Sequence, residues 1–293
     1  MDFTIENAYL KVTVTTQGAQ IKSVTRKCDG VEHIWQADPA VWGYHTPILF
    51  PYAGKLVDGK MEAKGKLYEG CRQHGFARNL EHTPVFCGEN SVVLELTENE
   101  QTLALWPYRF RLVSTFTIEG DTLHHTLTVE NHDEENMPFG IGYHPGFAIP
   151  FDDKHTYEDY ELRFDSPESP ICLDASCGGL IGRNHYYLGN NITAIPVDEH
   201  LFDNDSHCMT GLSSKTLGLY EKDTGRGVVC SIGSFPYVLI WSKPGAPKFI
   251  CIEPWNSLPS RVDGSIRWEE KPAAAVLCPG EDWSTTLSMS FVR

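Results

Sequence analysis

The sequence predicts an all-β protein, a large antiparallel β-sandwich formed as one domain over residues 1–293. Three observations carry this expectation. Runs of β-branched and aromatic residues recur from end to end, with Gly, Asn and Asp clusters between them. Helical periodicity is scarce, and no Pro/Ser-rich linker, composition break or repeat of fixed period divides the chain. Many strands at short intervals favour two packed sheets or a barrel-like closure.

In chain order the strand-like runs include residues 9–14, 20–26, 91–96, 108–118, 122–130, 227–232, 237–241 and 284–291. Glu119-Gly120-Asp121 between the fourth and fifth of these is a hairpin signal. In the first arm Phe110, Leu112, Phe116 and Ile118 share a face, interrupted by Ser114; in the second, Leu123, Leu127 and Val129 do. His125 joins that apolar side, which reads as a core histidine. The best helical piece is a single turn at residues 39–44, where Pro39 suits a first helical position.

Bulk properties exclude several functions. A net charge of −15 argues against unassisted nucleic-acid binding, which needs a surplus of Lys and Arg over phosphates. No apolar run approaches a membrane span, and Met1-Asp2-Phe3-Thr4-Ile5-Glu6 has neither a basic nor an apolar signal-peptide region. Nine cysteines is an odd count with no Cys-x-x-Cys pair and no zinc-site spacing, so no metal or other cofactor is expected. Cys230, Cys251 and Cys278 sit in apolar strand-like runs and read as small hydrophobes. A cytoplasmic protein with reduced thiols is expected.

The most informative segment is Phe249-Ile250-Cys251-Ile252-Glu253-Pro254-Trp255. Alternation puts Phe249, Cys251 and Glu253 on one face and Ile250 and Ile252 on the other. Glu253 is thus a carboxylate among apolar neighbours, where lost hydration raises its pKa toward that of a general base. Pro254 cannot donate to a ladder, so Glu253 is expected where the strand leaves regular pairing. Read alone, it is equally an ordinary strand-end carboxylate.

In Gly140-Ile141-Gly142-Tyr143-His144-Pro145-Gly146-Phe147, Pro145 holds His144 extended between two aromatics. It is either structural or a proton donor near neutral pH. Gln73-His74-Gly75-Phe76-Ala77-Arg78 packs an amide, an imidazole and a guanidinium together, as a polar loop or as a set of donors for hydroxyls or an anion. Lys55 is a single cation in an apolar run, free to snorkel to solvent. The turn-like run 201–207 offers Asp203 and Asp205.

The order Leu-Phe-Pro-x-x-Gly-Lys-Leu, Gln-His-Gly-Phe-Ala-Arg, Gly-Tyr-His-Pro-Gly-Phe, Asn-Asp and Cys-Ile-Glu-Pro-Trp resembles the aldose 1-epimerase (galactose mutarotase-like) superfamily, most closely its LacX-like branch. The resemblance runs from residue 3 to residue 291. It implies a β-sandwich with the site in a concave sheet face, and a sugar as small-molecule partner. It also implies roles. Glu253 is the general base on the anomeric hydroxyl and His144 the acid that protonates the ring oxygen. His74 binds substrate, and so does Asp205, with Asp203 close enough to leave the register open. Lys55 stands where many relatives carry arginine, and it lacks the planar bidentate fork. Gln73 and Arg78 complete the expected sugar contacts. The cluster around Arg78 also resembles the hexose-phosphate mutarotase branch, in which Arg78 with Lys55 or Arg72 would hold a phosphate. A non-catalytic sugar-binding protein on the same fold is the alternative from a different class. Trp241 and Trp255 are either core aromatics or stacking partners for the sugar.

Overall fold

Period-two burial runs through the long strands of the computed structural model, which describes residues 1–293. In Thr122–Asn131 every second residue from Leu123 onward is buried, and Asp282–Val292 repeats the pattern from Thr285 to Phe291. Such strands need a partner layer for their apolar face. The first layer is a nine-stranded antiparallel sheet. Its order is Ile192–Pro196, Tyr160–Glu168, Thr216–Glu221, Gly227–Ser231, Asp282–Val292, Thr122–Asn131, Phe110–Glu119, Ser91–Thr97 and Thr83–Cys87.

The second layer has eight strands. Seven follow the order His185–Tyr187, Ile171–Leu173, His207–Thr210, Tyr237–Trp241, Phe249–Trp255, Gly142–Tyr143 and Ile48–Leu49, and Gly146–Ala148 pairs alongside Phe249–Trp255. Both sheets are open, so the architecture is the expected antiparallel sandwich and not a closed barrel. The main core draws on both, with Leu112, Phe116, Leu127 and Leu287 from the first and Val238, Ile240, Ile250 and Ile252 from the second. No helix is long and apolar enough to cross a membrane.

The hairpin forms as expected. Gly120, at φ +58, and Asp121 join Phe110–Glu119 to Thr122–Asn131, and Leu123 faces Ile118 while Val129 faces Leu112. His125 stacks on Phe116 at 4.2 Å between ring centroids, buried in the core.

Two local expectations differ from the structure. Residues 39–44 form no helix. Instead the Asp38 carboxylate accepts the Ala40 amide and the Asp38 carbonyl accepts those of Val41 and Trp42, which closes a turn. The one α-helix, Glu100–Leu105, lies elsewhere and is fixed by a reciprocal capping box between Asn99 and Thr102. Cys278 is exposed just beyond Ala275–Leu277, whereas Cys230 and Cys251 are buried as expected.

Candidate active site

Every residue of Phe249–Trp255 is buried, and its two faces do different work. Ile250 and Ile252 enter the inter-sheet core, while Phe249 and Cys251 pack with Trp35 on the outer face of the sheet, against Trp42 and Trp241. Glu253 points to that same outer side, as alternation requires. Its strand is paired with Tyr237–Trp241 without interruption, Leu239 opposite Glu253 and Val238 opposite Pro254. The expectation that pairing fails at Glu253 is therefore correct on one side only.

On the other side, residues 249–251 pair with Gly146–Ala148 and Trp255 pairs with Gly142, while His144 and Pro145 belong to neither short strand. The Asn256 amide donates toward Ile141, so alternation turns the Pro254 nitrogen toward the same gap, where its missing N–H costs no ladder bond. The gap is where His144 enters. Gly146 lets the returning chain come close: a Cβ there would stand 2.7 Å from the Trp42 ring.

His144 Nε2 and a Glu253 carboxylate oxygen are 3.2 Å apart, with both residues buried. Three aromatic groups fix the imidazole. Trp42 stacks on its face at 5.0 Å, while Trp241 and His74 meet it edge-on at 5.8 and 5.4 Å. The Trp35 indole N–H donates to the Trp42 carbonyl and anchors that stack.

His74 sits in the left-handed region at φ +67, an uncommon conformation for a non-glycine residue that marks functional loops. Its amide donates to the Gly54 carbonyl at 2.7 Å, and the Gly54 amide donates to His74 Nδ1 at 3.0 Å. Nδ1 is therefore an acceptor, and the neutral ring carries its proton on Nε2 as a donor. Gly75 follows at φ +68, and a Cβ there would lie 2.2 Å from the Phe50 carbonyl oxygen, which accepts the Phe76 and Ala77 amides. Gly75→Ala is expected to cost about 3 kcal/mol or more, because neither the dihedral nor the backbone contact can relax cheaply. Urea unfolding checks this, and a loss under about 1 kcal/mol would show that the loop adapts.

Arg78, on the one-turn segment Ala77–Asn79, lies over the Tyr44 ring at 4.5 Å and donates to the Gln73 carbonyl at 2.9 Å. Its Nε is buried without a protein partner. Across the cavity, Asp205 stands at φ +73 in the 201–206 turn and accepts the Ser206 amide. Asp203 also reaches the wall, but its carboxylate is engaged with His200 Nδ1 at 3.0 Å.

These groups meet in one cavity of about 680 Å³. Its wall brings together Gln73, His74, Arg78, His144, Asp205 and Glu253, with Trp241 and Trp255 beside them. Lys55 does not reach it. Its side chain is exposed and runs over Gly179, while its backbone N–H donates to the Gly179 carbonyl and its carbonyl accepts the Ser260 amide. Arg72 is likewise exposed and outside the wall. Trp42, Tyr44, Ser176 and Asn204 are wall residues that sequence reasoning missed. The aromatic pair in Trp42-Gly43-Tyr44 was the available signal.

Burial governs the charges. It pushes the Glu253 carboxyl well above the usual carboxylate range, and the Asp205 charge adds to the effect. Burial pulls the His144 imidazole below its ordinary value, with the Arg78 charge acting in the same direction. His74 is lowered for the same reasons, by burial first and then by Arg78 and His144. The buried Glu253–His144 pair thus favours a state of no net charge. One proton lies between carboxyl and Nε2, and the carboxylate–imidazolium form differs only in where it sits.

The family model for aldose 1-epimerase matches residues 1–290. This chain belongs to the aldose 1-epimerase family. LacX from Lactococcus lactis subsp. lactis (the plasmid-encoded protein) is 32% identical over 286 residues, 95% of each chain. A galactose mutarotase related enzyme from Lactobacillus acidophilus superposes with a TM-score of 0.95 at 30% identity, over all of this chain and 98% of that one. A galactose mutarotase-like protein from Lactobacillus casei gives 0.90 at 25% identity, over 99% of each chain. Membership in the aldose 1-epimerase family points to an isomerase. In this family member the cavity joins two kinds of part: Glu253 and Trp255 stand on a strand inside a sheet, while Asp205, Ser176 and His74 ride on loops.

Proposed function

We propose that this protein interconverts the α and β anomers of a free hexose by acid–base opening of the ring. The Glu253 carboxylate takes the proton from the anomeric hydroxyl, and His144 gives its proton to the ring oxygen. The bond between C1 and the ring oxygen breaks, C1–C2 rotates, and closure with the roles exchanged returns both protons. The observation that carries this reading is the buried pair at 3.2 Å facing a sugar-sized cavity. Both oxygens that exchange protons are bonded to C1, so the reaction calls for a base and an acid side by side. Each group contributes about 10²–10⁴-fold. The Nε2–H of His74, the Arg78 guanidinium and the Asp205 carboxylate supply donors and an acceptor for the other hydroxyls.

A free sugar suits the wall better than a sugar phosphate. Three carboxyl groups, Asp203, Asp205 and Glu253, face the cavity against one guanidinium, and Arg78 already holds the Gln73 carbonyl and the Tyr44 face. Neither Lys55 nor Arg72 reaches in to receive a phosphate. Galactose or glucose is expected to react with a kcat/KM at least tenfold above glucose 6-phosphate, followed by polarimetry or by NMR exchange between anomers. A preference for the phosphorylated sugar would reverse this reading. Binding without anomer exchange across a panel of aldoses would make the protein a sugar binder, a role that needs no buried acid–base pair. Nine unpaired cysteines suit a reducing, cytoplasmic compartment.

A further inference from the structure

Two residues before Glu253, on the same face of the strand, Cys251 carries a buried thiol that the proton transfers above do not use. Alternation aims its sulfur to the side of the carboxylate, and His144 closes from the unpaired side. His144, Cys251 and Glu253 each offer one donor atom, and the three atoms lie within 4.8 Å of one another.

A tetrahedral zinc centre holds N and O donors at about 2.0–2.1 Å and S at about 2.3 Å, which spaces N from O by roughly 3.4 Å and N from S by roughly 3.6 Å. Nε2 and the carboxylate oxygen already stand 3.2 Å apart. With all three atoms within 4.8 Å of one another, the sulfur needs to close by about 1.2 Å at most, within reach of a small side-chain adjustment. One imidazole, one thiolate and one carboxylate form a borderline-soft set that suits Zn²⁺, while Mg²⁺ and Ca²⁺ demand oxygens throughout. The fourth position is left for a water or a sugar hydroxyl, as in zinc sites with three protein ligands. The second cluster of this kind, Asp152, His155 and Glu221, is already neutralised, because Arg226 pairs with both carboxylates.

We propose that His144, Cys251 and Glu253 form a three-ligand site for Zn²⁺, and that the ion silences the acid–base pair by occupying it. Binding exchanges protons for metal: the thiol proton and the proton held between His144 and Glu253 leave to solvent, with no change of oxidation state. The metal site stands on the geometry, whereas its effect on rate rests on the mutarotase reading.

Titrating the full-length protein with Co²⁺ is expected to raise a thiolate-to-cobalt charge-transfer band at one equivalent. Cys251→Ser and Cys251→Ala, each checked for fold by circular dichroism, are expected to lose it although the exposed Cys28, Cys87 and Cys278 remain. Micromolar Zn²⁺ is expected to slow anomer exchange at least tenfold, with recovery on adding EDTA. Measured against its own zinc-free rate, Cys251→Ser should need at least ten times more zinc for half inhibition. A missing cobalt band, a band unchanged in both variants, or equal zinc sensitivity in wild type and Cys251→Ser would overturn the site. A band that depends on Cys251 in a protein without any anomer exchange would leave the metal site standing and overturn the catalytic reading instead.

Discussion

Glu253→Gln is expected to slow anomer exchange by about 10³-fold, within the range of about 10²–10⁴ ascribed to one positioned base. The amide keeps the size of the carboxyl and still meets His144 Nε2, so what disappears is the ability to accept a proton. Stability is expected to hold or rise. A buried acid with a raised pKa stays protonated in the folded chain while the unfolded chain loses its proton, so the wild type loses stability as pH rises above the unfolded value of about 4.3. Glutamine has no such penalty, and the gap between variant and wild type should widen from pH 5 to pH 8 in thermal melts. His144→Asn should cost a similar factor in rate. The double variant should fall little below either single one, because acid and base act as a unit. Exchange within tenfold of wild type in Glu253→Gln would remove Glu253 from the mechanism.

Acidification to pH 5.5 is expected to strip about 4 kcal/mol of folding stability relative to pH 7. His33 and His125 are held down to about 3 and His82 to about 4, in each case first of all by burial. Both ring nitrogens of His33 lack a partner, so its charged form has nothing to meet it. Above the unfolded value of about 6.5 these rings are neutral in both states and contribute nothing. Below it the unfolded chain takes up protons that the folded chain refuses, at about 1.4 kcal/mol per pH unit for each ring, down to the folded values. His74 and His144 act in the same direction, while Glu253, whose proton the folded chain keeps and the unfolded chain has lost, opposes them by a comparable amount. Relief of repulsion among the excess carboxylates opposes the effect, but exposed charges are screened by salt. Urea midpoints between pH 7.5 and 5 measure the slope, and His125→Phe, which keeps the stack on Phe116, should reduce it by one proton's share. A flat profile would mean that these rings are already charged in the folded protein.

Much of this was legible along the chain because alternation is local. Residues 20–26 and 237–241 are strands with the expected bounds, and the inward Ile250 and Ile252 were separable from the outward Glu253 by counting in twos. Strands of two residues, Ile48–Leu49 and Gly142–Tyr143, are too short to show a period, yet they frame the gap that admits His144. Trp42 escaped notice because its importance comes from stacking on a ring a hundred residues away. Lys55 misled for a related reason. Gly54 does line the cavity, but sequence adjacency says nothing about direction, and the lysine side chain turns away along Gly179. The apolar run around Cys251 is enough to imply its burial, and only the fold reveals the imidazole and carboxylate around its sulfur.

The division between a rigid strand for Glu253 and loops for Asp205, Ser176 and Asn204 bears on how such a protein can change. A substitution at the strand disturbs a ladder and a packed core at once, whereas loop tips tolerate exchange and insertion. Selection can therefore retune which hydroxyls are welcomed without reopening the question of how the ring is broken. A lineage built this way should diversify its sugars faster than its chemistry. A designer seeking a new substrate should leave residues 249–255 alone and randomise 174–184 and 201–206.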